Sequence, residues 1–134
     1  MLFRIDKYTI PLFASLSVLS VDVPSGNIPK MLFVFKTRFA ALIVDGSLVC
    51  CVEEERLTRV KSSWGILPVQ SMRACLKEGN LSINDIDLII TPGETYKDIV
   101  PRTKLWVSHH FGYSPEVEAI NHQTAHIASS FFHS

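Results

Sequence analysis

The chain has 134 residues, 47% of them apolar, and its 13 basic and 13 acidic side chains cancel. That length suits one domain, and that apolar content excludes a disordered chain. A net charge of zero with no basic stripe gives no footing for binding nucleic acid by charge.

Residues 1–30 read as a leader or unassigned segment. Arg4 and Lys7 precede an apolar run from Ile10 to Leu19, as in a signal peptide. Against that reading, Asp6 stands in the basic part, Pro11 interrupts the run, and no Ala-x-Ala cleavage site follows. The run is also shorter than the roughly 20 apolar residues that span a bilayer. No membrane association is therefore expected, and the expected location is cytoplasmic. Val23 to Asn27 reads as a turn or linker, and the organised domain, residues 31–134, begins near Met31.

Leu32 to Phe35 is a short apolar run and a first strand. Ala40 to Val44 and Leu48 to Val52 flank Asp45-Gly46, a strong hairpin signal because both turn positions need positive φ. The first strand is expected to join this pair as a meander. Cys50 and Cys51 are neighbours in the third strand and point to opposite faces. With Cys75 the cysteines number three, which fits neither a disulfide framework nor a zinc finger, so buried free thiols are expected. Glu53 to Arg59 is densely charged. It reads either as a solvated loop at a strand end or as the edge of a polar cleft.

Pro68 to Lys77 has helical spacing, with Val69, Met72 and Leu76 on one face and Arg73 and Lys77 toward solvent. Cys75 falls on this helix and is expected to pack in the core. Pro68 suits the first turn and Gly79 the residue just past the end. Ser82 to Asp85 reads as a one-turn helix with Ser82 as its cap. Ile86 to Thr91 is a strand ended by Pro92-Gly93. From Tyr96 a helix is expected, limited to short pieces by Pro101. His109-His110, in this region, reads as surface. Val117 to Ile120 is a short strand, and Asn121 caps a helix running through His122 to Phe132.

This order, strand-strand-strand-helix-strand-helix-strand-helix, predicts an α/β fold with a mixed sheet. It fits half of a ribonuclease-H-like core of the kind found in actin-like ATPases, an analogy of topology that does not by itself establish function.

The sharpest chemical feature is Asn121-His122-Gln123-Thr124-Ala125-His126. On a helix, His122 and His126 share one face a turn apart, close enough to hold one metal ion, zinc or ferrous iron. Gln123 stands where a zincin would need its general-base Glu, which disfavours metalloprotease chemistry. Two imidazoles leave a metal under-coordinated. The plainer alternative is two histidines on a partly exposed helix, satisfied by nearby polar groups. No phosphate-binding glycine loop and no nucleophile elbow is present.

Four segments line up in order with one family. Phe39-Ala-Ala-Leu-Ile-Val-Asp-Gly46 is similar to its "AALVVDG", and Val52-Glu-Glu-Glu-Arg-Leu-Thr-Arg59 to its "VEEERFTR". Ser71 to Asp87 resembles "AIRYCLEEAGLSLDDID", and Asn121 to Phe132 resembles "NHHLAHAASAFF". The chain thus resembles the N-terminal domain of the NodU/CmcH-type O-carbamoyltransferases over most of Phe39 to Ser134. The resemblance implies an actin-like domain that passes a carbamoyl group from carbamoyladenylate to an acceptor hydroxyl of a small-molecule substrate. A YrdC-like C-terminal domain makes that donor from carbamoyl phosphate and ATP. The resemblance also implies an iron ion, Fe2+, held in part by His122 and His126.

Thr37-Arg38-Phe39 stands where the family carries a His-Asp segment, and Gln123 where it carries the second His of "NHH". Carboxylate ligands, nucleotide-binding segments and the YrdC-like domain are expected beyond Ser134, so this stretch is expected to be incomplete alone and prone to oligomerise. An inactive remnant or binding module of the same fold, and an unrelated metal-binding α/β protein, are the competing expectations.

Overall fold

The computed structural model describes residues 30–35, 39–61, 67–93 and 96–121. They form strands β1 (Met31–Phe35), β2 (Phe39–Val44), β3 (Ser47–Glu53), β4 (Leu88–Pro92) and β5 (Glu116–Ile120). The helices are α1 (Glu54–Thr58), α2 (Val69–Glu78) and α3 (Ile99–Phe111), with a single 3-10 turn at Ile83–Asp85. The strands make one mixed sheet in the order β3-β2-β1-β4-β5. Strands β1, β2 and β3 are antiparallel neighbours, as the meander required, while β4 pairs parallel to β1 and β5 parallel to β4. Among the described residues no helix is long and apolar enough to cross a membrane.

The hairpin between β2 and β3 turns at Asp45 (φ 52°) and Gly46 (φ 75°). Both angles are left-handed, which is what a two-residue turn matched to strand twist demands. Strand alternation then sorts the core into two layers. Leu32, Val34, Ala40, Leu42, Cys50, Val52, Ile89 and Val117 face α2 and α3, meeting Val69, Met72, Cys75, Leu76 and Val107. Phe33, Ala41, Ile43, Leu88 and Ile90 line the other face. Cys50 belongs to the first layer, whereas Cys51 packs against the second, so the two thiols do point apart. All three cysteines are free thiols.

Helix α2 buries the face that its spacing predicted, including Met72, Cys75 and Leu76, and leaves Arg73 and Lys77 exposed. Gly79 follows it, but for a reason other than left-handed capping: its φ is −76°. The left-handed residue is Asn80, at φ 52°. A Cβ on Gly79 would lie 2.5 Å from Leu42 Cδ2, so the glycine is there to let the helix end close against β2. At the 3-10 turn, Asp85 Oδ2 accepts the Ser82 backbone N–H at 2.7 Å and its hydroxyl at 2.9 Å, forming the expected capping box.

Two expectations need correction. Pro101 does not break the helix after Tyr96; α3 runs unbroken for 13 residues. Pro101 is its third residue, and the N–H groups of a first turn have no intrahelical acceptor, so the missing donor is not needed. Gly112 closes the helix in a left-handed conformation, φ 78°, its N–H bonding to Ser108 O at 2.8 Å. Nor is the charged stretch after β3 a loop. Glu54–Thr58 forms helix α1, closed by Arg59 at φ 56°. Within it Glu54 is buried, with 7% of its surface exposed.

Candidate functional site

Strands β1, β4 and β5 are parallel, so their carboxyl ends share one edge of the sheet. The antiparallel meander brings the start of β2 and the end of β3 to the same edge, through the pairs Phe35 with Phe39 and Phe39 with Glu53. From β1 the chain turns toward β2; from β4 it crosses by way of α3 to β5, on the other side. The connections therefore diverge between β1 and β4, the switch point at which α/β sheets open a crevice for ligands.

Helices α1 and α3 follow β3 and β4, which end on this edge, and α2 begins against Glu54, the first residue of α1. Helix N-termini carry partial positive charge, which gives the edge an electropositive bias. One N-terminus is already occupied. Helix α2 starts at Pro68, which offers no side-chain cap. The carboxylate of Glu54 replaces it, accepting the Gln70 N–H at 3.2 Å through Oε1 and the Ser71 N–H at 2.7 Å through Oε2. A buried carboxylate is thus satisfied by two helix-end donors, and this member of the charged stretch is a structural cap.

The neighbouring Glu53 is engaged differently. Its Oε2 accepts the Arg56 Nε–H at 3.1 Å, an exposed pair of small energetic weight. From Glu55 to Lys61 every residue is exposed, and Leu57 and Val60 present apolar surface among Arg56, Arg59 and Lys61. On the β4 side, Thr91 is buried and Gly93 takes φ 125°, a conformation that only glycine adopts readily. The Gly93 N–H bonds to Ile120 O at 3.1 Å, which ties the loop after β4 to the end of β5.

Asn121 follows β5 directly at this edge. His122 and His126, and the helix expected to carry them, lie outside the described residues. Among the described residues no group of three or more His, Cys, Asp and Glu side chains could hold a metal ion. The described part of the edge therefore supplies no ligand set for iron. His109 and His110 stand far from it, in the last turn of α3, which runs toward the opposite edge. Both are exposed, as expected, with their rings edge-to-face at 5.1 Å. Near them the Arg73 guanidinium lies 5.6 Å from the Phe111 ring centre.

Cys51 and Cys75 are held as neutral thiols, whereas the hydrogen bond with Cys75 pulls Cys50 below the ordinary thiol range. The Cys75 Sγ lies 3.4 Å from Ala40 O, and its hydrogen bond to Cys50 together with burial pushes the thiol well above the ordinary range. Burial pushes Cys51 up to about 12, with the nearby Cys50 and Glu53 adding to it.

Known proteins match only part of the chain. No family model matches it. It is 44% identical over 50 residues to the nodulation protein NolNO of Sinorhizobium fredii, which is 37% of this chain and 7% of that protein. It is 41% identical over 51 residues to an uncharacterized protein of Synechocystis sp., 38% of this chain and 8% of the other. An uncharacterized 19.2 kDa protein of Rhizobium etli matches at 40% over 50 residues, 37% of this chain and 29% of its own length. The likeness thus spans under a tenth of the first two relatives.

Proposed function

We propose that this chain carries part of a carbamoyl-transfer domain of the NodU/CmcH type, incomplete alone, whose working edge is the carboxyl edge of the sheet. The observation that supports it most is the 44% identity over 50 residues to a nodulation protein. It agrees with the ordered resemblance of Phe39 to Phe132 to enzymes that decorate nodulation factors. The strand order β3-β2-β1-β4-β5, with β2 antiparallel to its neighbours, is compatible with a ribonuclease-H-like half-domain.

In this reading the group transferred is carbamoyl, from carbamoyladenylate to an acceptor hydroxyl of a small molecule. Carbamoyl phosphate and ATP are consumed by a YrdC-like partner domain, and His122 and His126 are two of the ligands of a ferrous ion. Such an ion would polarise the donor as a Lewis acid. Anaerobic titration of the full chain with ferrous ion tests the site. Two imidazoles bind in the micromolar range or more weakly, and His122→Ala or His126→Ala should weaken binding about tenfold or more. Equal binding by the unsubstituted chain and both variants would overturn the assignment.

A second reading, an inactive module of the same fold, is favoured by Thr37-Arg38-Phe39 at the place of the family's His-Asp segment. The coding sequence past Ser134 separates the two. A frame that continues into nucleotide-binding segments supports the transferase, and its absence supports the inactive module.

A further inference from the structure

Cys50 and Cys75 stand 25 residues apart in the chain and meet inside the core. Cys50 belongs to β3 and Cys75 to α2, and both lie in the layer between the sheet and the helices. The Cys75 thiol seats directly on the sheet backbone, its Sγ 3.4 Å from Ala40 O on β2 and 3.9 Å from Cys50 O on β3. A disulfide bridges Cα atoms no more than about 7 Å apart, so it needs seating of this kind. The sequence allows it in two places. Ala40 presents only a methyl group to the helix, and Gly79 lets the helix end close against Leu42.

The two thiols are hydrogen-bonded to each other, so their sulfurs lie side by side. Cys51 faces the other side of the sheet, away from both. The pair is also asymmetric. Cys50 keeps 7% of its surface exposed and Cys75 none, so a small oxidant entering from the surface meets Cys50 first. The Cys75 S–H, donating to the Cys50 sulfur, favours the thiolate there, and the thiolate is the form that reacts.

We infer that Cys50 and Cys75 are a redox pair that a peroxide converts to a reversible disulfide, clasping α2 to β3. The Cys50 thiolate attacks one peroxide oxygen. An S–O bond forms, the O–O bond breaks, and the departing hydroxide takes up a proton and leaves as water. The Cys75 sulfur, giving up its proton, then attacks the sulfur of the Cys50 sulfenic acid. An S–S bond forms, the S–O bond breaks, and that oxygen leaves as a second water. Two thiols lose two electrons to one peroxide, and a dithiol reductant restores them by exchange. The clasp closes a ring of chain that contains Glu53 to Arg59, the charged stretch at the carboxyl edge of the sheet. It stands whether or not the chain transfers a carbamoyl group.

The reduced full chain and its full-length Cys51→Ser variant are treated with equimolar hydrogen peroxide, quenched with iodoacetamide and mapped by peptide mass spectrometry. Both should give the peptide of Cys50 joined to that of Cys75, two hydrogens lighter than their sum and separated again by dithiothreitol. Fragment ions that split residue 50 from residue 51 place the join in the unsubstituted chain, where Cys51 should be found alkylated. The join should form about tenfold faster or more in the folded chain than in denaturing urea, because the fold holds the sulfurs together. A join made through Cys51, disulfide-linked dimers in place of the internal bond, or Cys50 recovered only as sulfinic acid overturns the proposal. So does a join that forms as fast in urea as in the folded chain.

Discussion

The Glu54 carboxylate accepts the Ser71 N–H at 2.7 Å from 17 residues earlier in the chain. Helix α1 and helix α2 are joined by this contact, and α2 has no cap of its own. Glu54→Ala should therefore destabilise the fold by about 1–3 kcal/mol, since two helix-end donors, that of Ser71 buried, lose a charged acceptor. Glu54→Gln keeps one acceptor oxygen and should lose less. Urea unfolding checks this: the midpoint should fall in the order native, Gln, Ala, with the denaturant slope unchanged.

Gly79 and Leu42 form a steric pair. Because Gly79 has an ordinary φ, Gly79→Ala carries no backbone penalty, and the contact at 2.5 Å from Leu42 Cδ2 is the whole obstacle. A loss of about 1–3 kcal/mol is expected, from overpacking against a fully buried leucine. In Leu42→Ala, the added Gly79→Ala should be close to harmless. A double-mutant cycle with additive energies would contradict this pairing.

Asp85 is held below the ordinary aspartate range by the Ser82 backbone and hydroxyl donors. A carboxyl with a depressed folded value stabilises the native state above its unfolded value, about 3.9. That contribution disappears as the pH falls through the lower folded value. The melting-temperature gap between the native chain and Asp85→Asn should thus be constant from pH 5 to pH 7 and narrow below pH 4. A gap that widens in acid would contradict the capping role.

Cys51 behaves in the opposite sense. Its thiol is pushed up to about 12 by burial, so the folded state favours the neutral form. Stability from this group is present below the unfolded thiol value of about 8.5 and is lost as the pH rises toward the folded one. At pH 8, Cys51 alkylation should be slower than that of a free cysteine by about a hundredfold or more, because the thiolate fraction is so small. Reaction at the free-thiol rate would show that the second face is open.

The elements that read correctly from the sequence are those whose signals are local. Asp45-Gly46 dictates its turn, the Val69, Met72 and Leu76 stripe its helix, and Ser82 with Asp85 its cap. The misread positions depend on partners far along the chain. Nothing distinguishes Glu54 from Glu53 and Glu55 in sequence; the distinction comes from Pro68, whose lack of a cap leaves donors that a distant carboxylate must satisfy. Gly79 ends the helix where its spacing suggests, but what demands a glycine there is its close neighbour on β2. The effect of Pro101 depends on its distance from the helix start, and Asp98 at that start makes no side-chain cap hydrogen bond. At the candidate site, the edge that gathers Glu53, Gly93 and Asn121 follows from strand order, which no single motif reveals. His122 and His126 lie outside the described residues.

The parallel pairing of β1 with β4 sets a timetable for folding. The meander of β1, β2 and β3 zips through tight connections, whereas Lys30 reaches Asp87, whose carboxylate accepts its N–H at 2.7 Å, across 57 residues. Closing a span of that size is an entropic barrier that local hairpins do not face. Substitutions within the meander, such as Ala41→Gly, should slow refolding. Those in β5, such as Val117→Ala, should chiefly hasten unfolding, because that strand joins after the barrier is crossed. The half of the sheet that bears the end of β5, and with it Asn121, is then the last to arrive and the first to leave.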